Sequence, residues 1–414
     1  MQTPALSQST EIDAIGQYYA HIISPESPGQ FMLSAYLKNS VDTTILQQAV
    51  NDVVARLPFL SGRLEPKFFW YHHKLLPNPP QIVKMGDEYT FTDYYNKGTK
   101  HVFRVLYGEK HITLEAIHTV VDGRGLTKVM QTLLVRYFEL QGLVFNKDGY
   151  ISCDDEFTAE EWEDTYAKFY DPKSGRSGRA KKEVVEAYLQ TPKETVPQHV
   201  ILKTFDLAEI KKAASTYDAT ISEYLIAQIF SAISDERKKA GSNKPIAAMV
   251  PTDCRAFFPS KSLRNFVDSA LVTMPETDDF AEMIKGLRKE YGKIDTDFTQ
   301  KNINEFQSLK NKARFMPRFL KKYVLLNFMP HEEKGMTTTF SNVGKVTLPG
   351  EIEALLSHMA FIIDSGDEMP ITYACASVGN TLTLAITLSM KENDFVEDVI
   401  KRVGGLSTGQ ELSL

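Results

Sequence analysis

Cysteine is scarce: Cys153, Cys254 and Cys375 are the only three in 414 residues, and they stand far apart. That spacing excludes a Cys-x-x-Cys metal or redox motif and speaks against the disulfide framework of a secreted domain. No apolar run reaches the ~18 residues at which a membrane span becomes a candidate. At the start of the chain, Met1-Gln2-Thr3-Pro4-Ala5 shows no cationic stretch leading into an apolar one. A cytoplasmic protein is therefore expected. Positive charge is also short, 47 Lys and Arg against 53 Asp and Glu, for a net −6. Without a dense basic block, a nucleic-acid partner is not expected.

Several motifs are missing or empty. Neither Gly-x-x-x-x-Gly-Lys-Ser/Thr nor a Gly-x-Gly-x-x-Gly after a strand occurs, so nucleotide-dependent chemistry has no support. His72-His73 has no acidic or cysteine partner at ligand spacing; it reads as a surface strand end, and no metal site is expected. Gly405-Leu406-Ser407-Thr408-Gly409 matches a nucleophile elbow by letters alone, since it follows a terminal helix and no His lies downstream.

What is present is the composition of a globular protein: 43% apolar and 24% charged residues, with a mean hydropathy of −0.25. The length suits two domains. The first half alternates strands and helices. Phe31 to Leu37 reads as a strand, and Asp42 as the N-cap of a helix with apolar Ile45, Leu46, Ala49, Val50, Val53, Val54 and Leu57, stopped by Pro58. Phe68-Phe69-Trp70-Tyr71 is an aromatic strand candidate. His101 to Tyr107 and His111 to Ile117 form a hairpin around Gly108-Glu109-Lys110. A helix with one apolar face runs from about Leu126 to Phe138.

The charged stretch from about Ser152 to Pro197 has weak periodicity and contains Asp171-Pro172-Lys173-Ser174-Gly175. It reads as a short helix or two followed by a linker. This divides the chain into an N-terminal domain over 1–172, a linker over 173–197 and a C-terminal domain over 198–414. Arg176, Arg179, Lys181 and Lys182 in the linker are a solvated charge run, or else a contact for coenzyme A phosphates or an acidic carrier protein. The second half opens its main helix with a Thr220/Glu223 capping box. Strands are expected at Ile246–Val250, Phe266–Met274, His358–Asp364, Ile371–Ser377 and Thr381–Met390, with a final helix around Phe395 to Val403.

His118 carries the chemistry. Ile112, Leu114 and Ala116 share one face of their strand, and period two places His118 on the same face, at the strand's end. Asp122 and Gly123 lie in the turn that follows, where Gly123 permits a tight backbone. A neutral imidazole there can take a proton from an alcohol, amine or thiol attacking a thioester. A satisfied core histidine beside an ordinary Asp-Gly turn fits the spacing equally well. Asp122 either orients His118 or pairs with an arginine, and the ion pair is the favoured reading.

The segment His118-Thr119-Val120-Val121-Asp122-Gly123 resembles the His-x-x-x-Asp-Gly signature of the acyltransferase superfamily. That superfamily includes chloramphenicol acetyltransferase, nonribosomal-peptide condensation domains, polyketide-associated acyltransferases and alcohol acetyltransferases. The similarity covers most of the chain. Phe31 to Leu64 with Pro58-Phe59-Leu60, Pro251-Thr252-Asp253-Cys254-Arg255, Leu263-Arg264-Asn265-Phe266 and Ser341-Asn342-Val343-Gly344 all resemble family segments. The last of these, with Phe69-Trp70-Tyr71, resembles the stand-alone alcohol acetyltransferase branch. The sequence departs from condensation domains at Ile117, where they usually carry a second His, and at Asp364-Ser365-Gly366, a poor counterpart of Asp-Phe-Gly-Trp-Gly.

The resemblance implies an α/β fold of two chloramphenicol-acetyltransferase-like sandwich domains, forming a pseudo-dimer within a monomeric chain. A channel would run between them with His118 midway along it. It implies His118 as general base, and Asp122 paired with Arg255, or failing that Arg264. It implies acyl transfer from acyl-CoA or an acyl-phosphopantetheine carrier to a small alcohol or amine, with no resident cofactor. A free-standing condensation enzyme and a non-catalytic pantetheine- or carrier-binding relative are the alternatives. Ser341 and Asn342 either donate hydrogen bonds to the thioester oxygen as it becomes anionic or form a strand-ending turn.

Overall fold

Two strands with apolar residues on both faces anchor the first layer, because both faces of their sheet are covered. The computed structural model describes residues 7–22, 29–86, 101–176, 198–242, 245–275, 277–328, 336–365, 369–391 and 394–404. In chain order the strands are β1 (Ser9–Glu11), β2 (Gln30–Leu37), β3 (Gly62–Pro66), β4 (Tyr71–Leu75), β5 (Val83–Lys84), β6 (Phe103–Tyr107), β7 (His111–Ile117), β8 (His199–Asp206), β9 (Ala247–Asp253), β10 (Val267–Thr273), β11 (Thr338–Lys345), β12 (Leu356–Ile363), β13 (Ile371–Val378) and β14 (Thr381–Leu388). The helices that matter below are α1 (Ala14–Ile22), α2 (Thr43–Arg56) and α3 (Gly123–Leu140), then α4 (Thr165–Lys168), α5 (Leu207–Ser215), α6 (Ile221–Lys239), α7 (Phe280–Tyr291), α8 (Thr296–Lys312) and α9 (Arg318–Phe328).

The first sheet has the order β12-β2-β7-β6-β5. Helices α2 and α3 pack together over it. Asp42 starts α2 by accepting from the Thr44 and Ile45 amides at 2.9 and 3.0 Å, so its N-cap role is as the sequence suggests. Leu46, Ala49, Val50, Val53 and Val54 are the buried face, and Pro58 opens a short 3-10 turn where the helix stops. β12 belongs to the second half of the sequence yet forms the edge of this sheet, antiparallel to β2.

The second sheet has the order β10-β9-β11-β13-β14-β8. Alternation sorts its side chains cleanly. Tyr373 and Cys375 of β13 and Leu382, Leu384, Ile386 and Leu388 of β14 join the core under α5, α6, α7 and the closing helix Asp394–Gly404. Ala374, Ala376 and Ala385 face the other way into the first core, where their small size lets β12 pack against the sheet.

Two local expectations change and a third is met. Phe68 and Phe69 lie in a hairpin turn between β3 and β4 rather than in a strand. His73 is 2% exposed, not on the surface; β4 points it inward, its ring 5.7 Å from Trp162. The region after Ser152 supplies a 3-10 turn at Ala159–Trp162 and α4. Of the basic run, Arg179, Lys181 and Lys182 lie outside the described residues, as do residues 177–197 and the segment 405–409. Among the described residues no helix is long and apolar enough to cross a membrane, and no group of metal-ligating side chains occurs.

Candidate active site

β7 ends at Ile117, and His118 is the next residue, its amide donating to the Gly29 carbonyl at 3.3 Å. Gly29 (φ +59°) needs the left-handed backbone that glycine adopts freely. Its own amide donates to Asp364 Oδ2 at 2.9 Å. So Asp364, dismissed as a poor motif match, holds the loop against which His118 rests.

The imidazole is sandwiched by aromatics. Tyr19 of α1 stacks on it at 4.5 Å and 15°, and Phe31 of β2 leans on it at 4.4 Å. Its Nδ1 is buried without a hydrogen bond of ordinary geometry, and so is Asn265 Oδ1. Burial pulls the His118 pKa down from 6.5 to about 4, with the Asp122 charge and the Asn265 side chain pulling the other way. At neutral pH the ring is uncharged and can accept a proton.

Asp122 turns away from that task. It is the N-cap of α3, its Oδ1 accepting from the Gly125 amide at 2.7 Å. Its Oδ2 accepts from Arg255 Nη1 at 2.8 Å and from the Phe266 amide at 2.8 Å. The carboxylate is 2% exposed, and the three bonds it accepts run to the start of α3 and to the 253–266 segment. Arg255 is equally committed. Nη1 also meets Asp253 at 2.9 Å, and Nε and Nη2 donate to the Ser262 and Arg264 carbonyls at 2.7–3.1 Å. Burial opposes its charge, but Asp122 and Asp253 win and raise its pKa. Arg264, the fallback partner, instead reaches Asp13 at 3.3 Å and lies over Trp162 at 4.9 Å.

Gly123 and Gly125 act through space rather than through torsion. Gly123 is the first residue of α3 and is not among the positive-φ glycines; a Cβ there would sit 3.2 Å from Val343 and 3.3 Å from Phe361. The expectation of a glycine-dependent turn is therefore replaced by one of close approach. Gly125 is tighter still, since its Cβ would lie 2.2 Å from the Leu263 carbonyl oxygen. That atom is backbone, fixed by Leu263 N donating to Glu161 O at 2.9 Å. Gly125→Ala should destabilise the protein by about 1–3 kcal/mol through overpacking, read as a fall in the urea midpoint. Gly350→Ala, with open space around it, should leave the midpoint within about 0.5 kcal/mol.

Ser341 and Asn342 lie in β11, paired with Ala374 and Cys375 of β13. Asn342 Nδ2 donates to Ser222 of α6 at 2.9 Å, and its Oδ1 accepts from the Gly344 amide at 2.7 Å. Gly344 has φ +75° where the strand register shifts. The strand-ending irregularity is thus present, and it uses Asn342 at both ends. It also brings Val343 against Gly123, next to the His118 segment.

A polar cluster beneath the site escaped the sequence reading. Asp13, fully buried, accepts from the Gly16 amide at 2.7 Å, from Arg264 at 3.3 Å and from Asn265 Nδ2 at 3.3 Å. Asn265 Nδ2 also donates to the His118 carbonyl at 2.8 Å. Burial raises the Asp13 pKa, with Arg264 opposing. These groups fasten α1, and with it Tyr19, to the His118 segment. Only the N-cap pattern before α1 could have pointed to Asp13, and nothing local links it to residue 265.

No protein-family model matches the chain, and no curated protein does. Solved structures do, three of them along nearly their whole length. Polyketide synthase associated protein 5 from Mycobacterium tuberculosis superposes with a TM-score of 0.60 at 12% identity, covering 95% of this chain and 96% of that one. The first condensation domain of the calcium-dependent antibiotic synthetase gives 0.63 at 10% identity over 99% of both chains. Trichothecene 15-O-acetyltransferase from Fusarium sporotrichioides gives 0.61 at 12% identity over 95% and 94%. The chain thus has the two-lobed α/β fold of condensation domains and their acyltransferase relatives, as the sequence resemblance implied.

Proposed function

We propose that the protein is an acyltransferase that moves an acyl group, acetyl in the simplest case, from a coenzyme A or carrier-protein thioester to an alcohol or amine. One observation carries the reading. A neutral histidine stands where residues of the first half meet the segment 253–266 of the second, beside an aspartate wholly engaged in fixing that junction. The fold shared with an O-acetyltransferase and with condensation domains supports it, although fold alone does not assign chemistry.

In the proposed step, His118 Nε2 takes the proton of the acceptor hydroxyl as its oxygen attacks the thioester carbonyl. The tetrahedral intermediate collapses by breaking the carbon–sulfur bond. The imidazolium then returns the proton to the departing thiolate, giving an ester and a free thiol with no acyl-enzyme. Asn265 Oδ1, accepting from Nδ1–H, would hold the tautomer that leaves Nε2 free. That bond is assigned from two buried atoms that lack other partners. Ser341 is the donor assigned to the developing oxyanion, with the second N–H of Asn342 as the alternative, its first donating to Ser222. Donor pantetheine and acceptor would approach His118 from opposite ends of a channel between the halves. Asp122, Gly123 and Arg255 hold the site without touching substrate.

The test is release of free thiol from acyl-CoAs and from an acyl carrier protein, each with a panel of small alcohols and amines. Thiol release that depends on acceptor is expected with at least one donor. Activity with the carrier alone would favour the condensation reading. Saturable binding of pantetheine thioesters with no turnover would instead mark a non-catalytic relative.

A further inference from the structure

The hairpin turn between β3 and β4 displays aromatic rings where turns ordinarily place Gly, Asn or Asp. Phe68 is 66% exposed and Phe69 38%; beside them Phe315 is 77% exposed, Phe319 65%, Leu320 44% and Tyr323 67%. Phe68 meets Phe69 edge-on at 4.8 Å, and Phe69 meets Phe315 at 6.3 Å, so the two segments form one surface.

The protein holds this surface open. Arg318, at the start of α9, donates its amide to the Phe68 carbonyl at 3.0 Å and its Nε to the Lys67 carbonyl at 3.3 Å. Its Nη1 donates to the Tyr71 hydroxyl at 2.7 Å. Lys321 is fully buried, donating to the Phe69 carbonyl with its ammonium 3.0 Å from the centre of the Trp70 ring. The turn and the helix are thereby clamped through their polar groups, and the apolar side chains are left outward.

Charge completes the pattern. Residues 306–331 contain six lysines and arginines and no aspartate or glutamate, in a chain of net charge −6. Arg318 and Lys321 hold the turn, and Lys310 pairs with Glu11 and Asp164. Lys312, Arg314 and Lys322 are exposed and have no carboxylate partner among the described residues. Bulky apolar side chains interleaved with such cations suit a headgroup boundary, where rings enter the acyl edge and cations meet lipid phosphates.

We propose that this face docks the protein on an anionic lipid surface. It shares no residue with the His118 site, and its test needs no substrate. The full chain is sedimented with vesicles of phosphatidylcholine, with and without phosphatidylglycerol. Stronger binding to the anionic vesicles, weakened by salt, is expected. The double variant F315E/F319E should lose about tenfold or more in partitioning to both vesicle types. K312E/R314E/K322E should lose at least about fivefold per position, since each change removes a cation and adds an anion, and only against the anionic vesicles. Both variants alter exposed side chains, so their unfolding midpoints should match wild type.

Failure of the wild-type protein to sediment with either vesicle overturns the proposal, as does F315E/F319E binding like wild type. One-to-one binding of an acidic soluble protein, abolished in F315E/F319E and without vesicle binding, assigns the face to a protein partner and overturns it too.

Discussion

His118→Ala is expected to lower the acyl-transfer rate by about 10²–10⁴, the usual contribution of a positioned general base and equivalent to roughly 3–5 kcal/mol of barrier. The loss should fall on kcat, because the imidazole takes its proton only as the bond to the carbonyl forms. Truncation also empties the space between Tyr19 and Phe31, so His118→Asn, which fills more of that space, should be equally inactive. The pH profile is the sharper measure. The base works only when neutral, and burial holds its pKa at about 4 instead of 6.5. The acid limb of kcat/KM, which reports the free enzyme, should therefore appear near pH 4, with activity level from about pH 5 upward. A limb at the ordinary histidine value would mean that the ring is solvated, contrary to the packing described. Wild-type rates in both variants would remove His118 from the chemistry.

Arg255→Met and Asp122→Asn should each destabilise the protein by about 3–5 kcal/mol, the range seen when one partner of a buried pair is removed. The Asp122 carboxylate is 2% exposed and the Arg255 side chain 11%, so water cannot replace the missing charge. Removing Arg255 leaves the Asp122 carboxylate with two backbone amides, Gly125 and Phe266, as its remaining partners. Removing the Asp122 charge points an amide donor at Arg255 or at the Phe266 amide. The double variant should cost clearly less than the sum of the singles, since each single loss includes the partner left unpaired. Urea midpoints with unchanged slope measure all three. Single costs below about 1 kcal/mol would mean that the pair behaves as an exposed one.

Much of the first half was legible because it rests on local rules. The Asp42 cap, the hairpin ending in β7 and the apolar stripe of α3 each follow from a few neighbouring residues. The same holds for the Thr220/Glu223 capping box, whose bonds are present at 3.2 and 2.7 Å. Phe68 to Tyr71 misled, because aromatic residues raise strand propensity wherever they fall. Here Arg318 and Lys321, some 250 positions onward, hold the turn that displays them.

The sequence by itself determined the phase of His118, since period two admits only two faces and its apolar neighbours choose between them. It also determined that a helix would follow the turn at Asp122 and Gly123, although that helix begins at Gly123 itself rather than near Leu126. What surrounds them was decided by tertiary structure alone. Tyr19 over the imidazole, Asn265 at its buried edge, Asp13 beneath and the Leu263 carbonyl against Gly125 come from segments separated by as many as 250 residues. The pKa of a buried base depends on how completely water is excluded and on which charges close around it. Those are properties of the packed space, and no run of neighbouring letters encodes them.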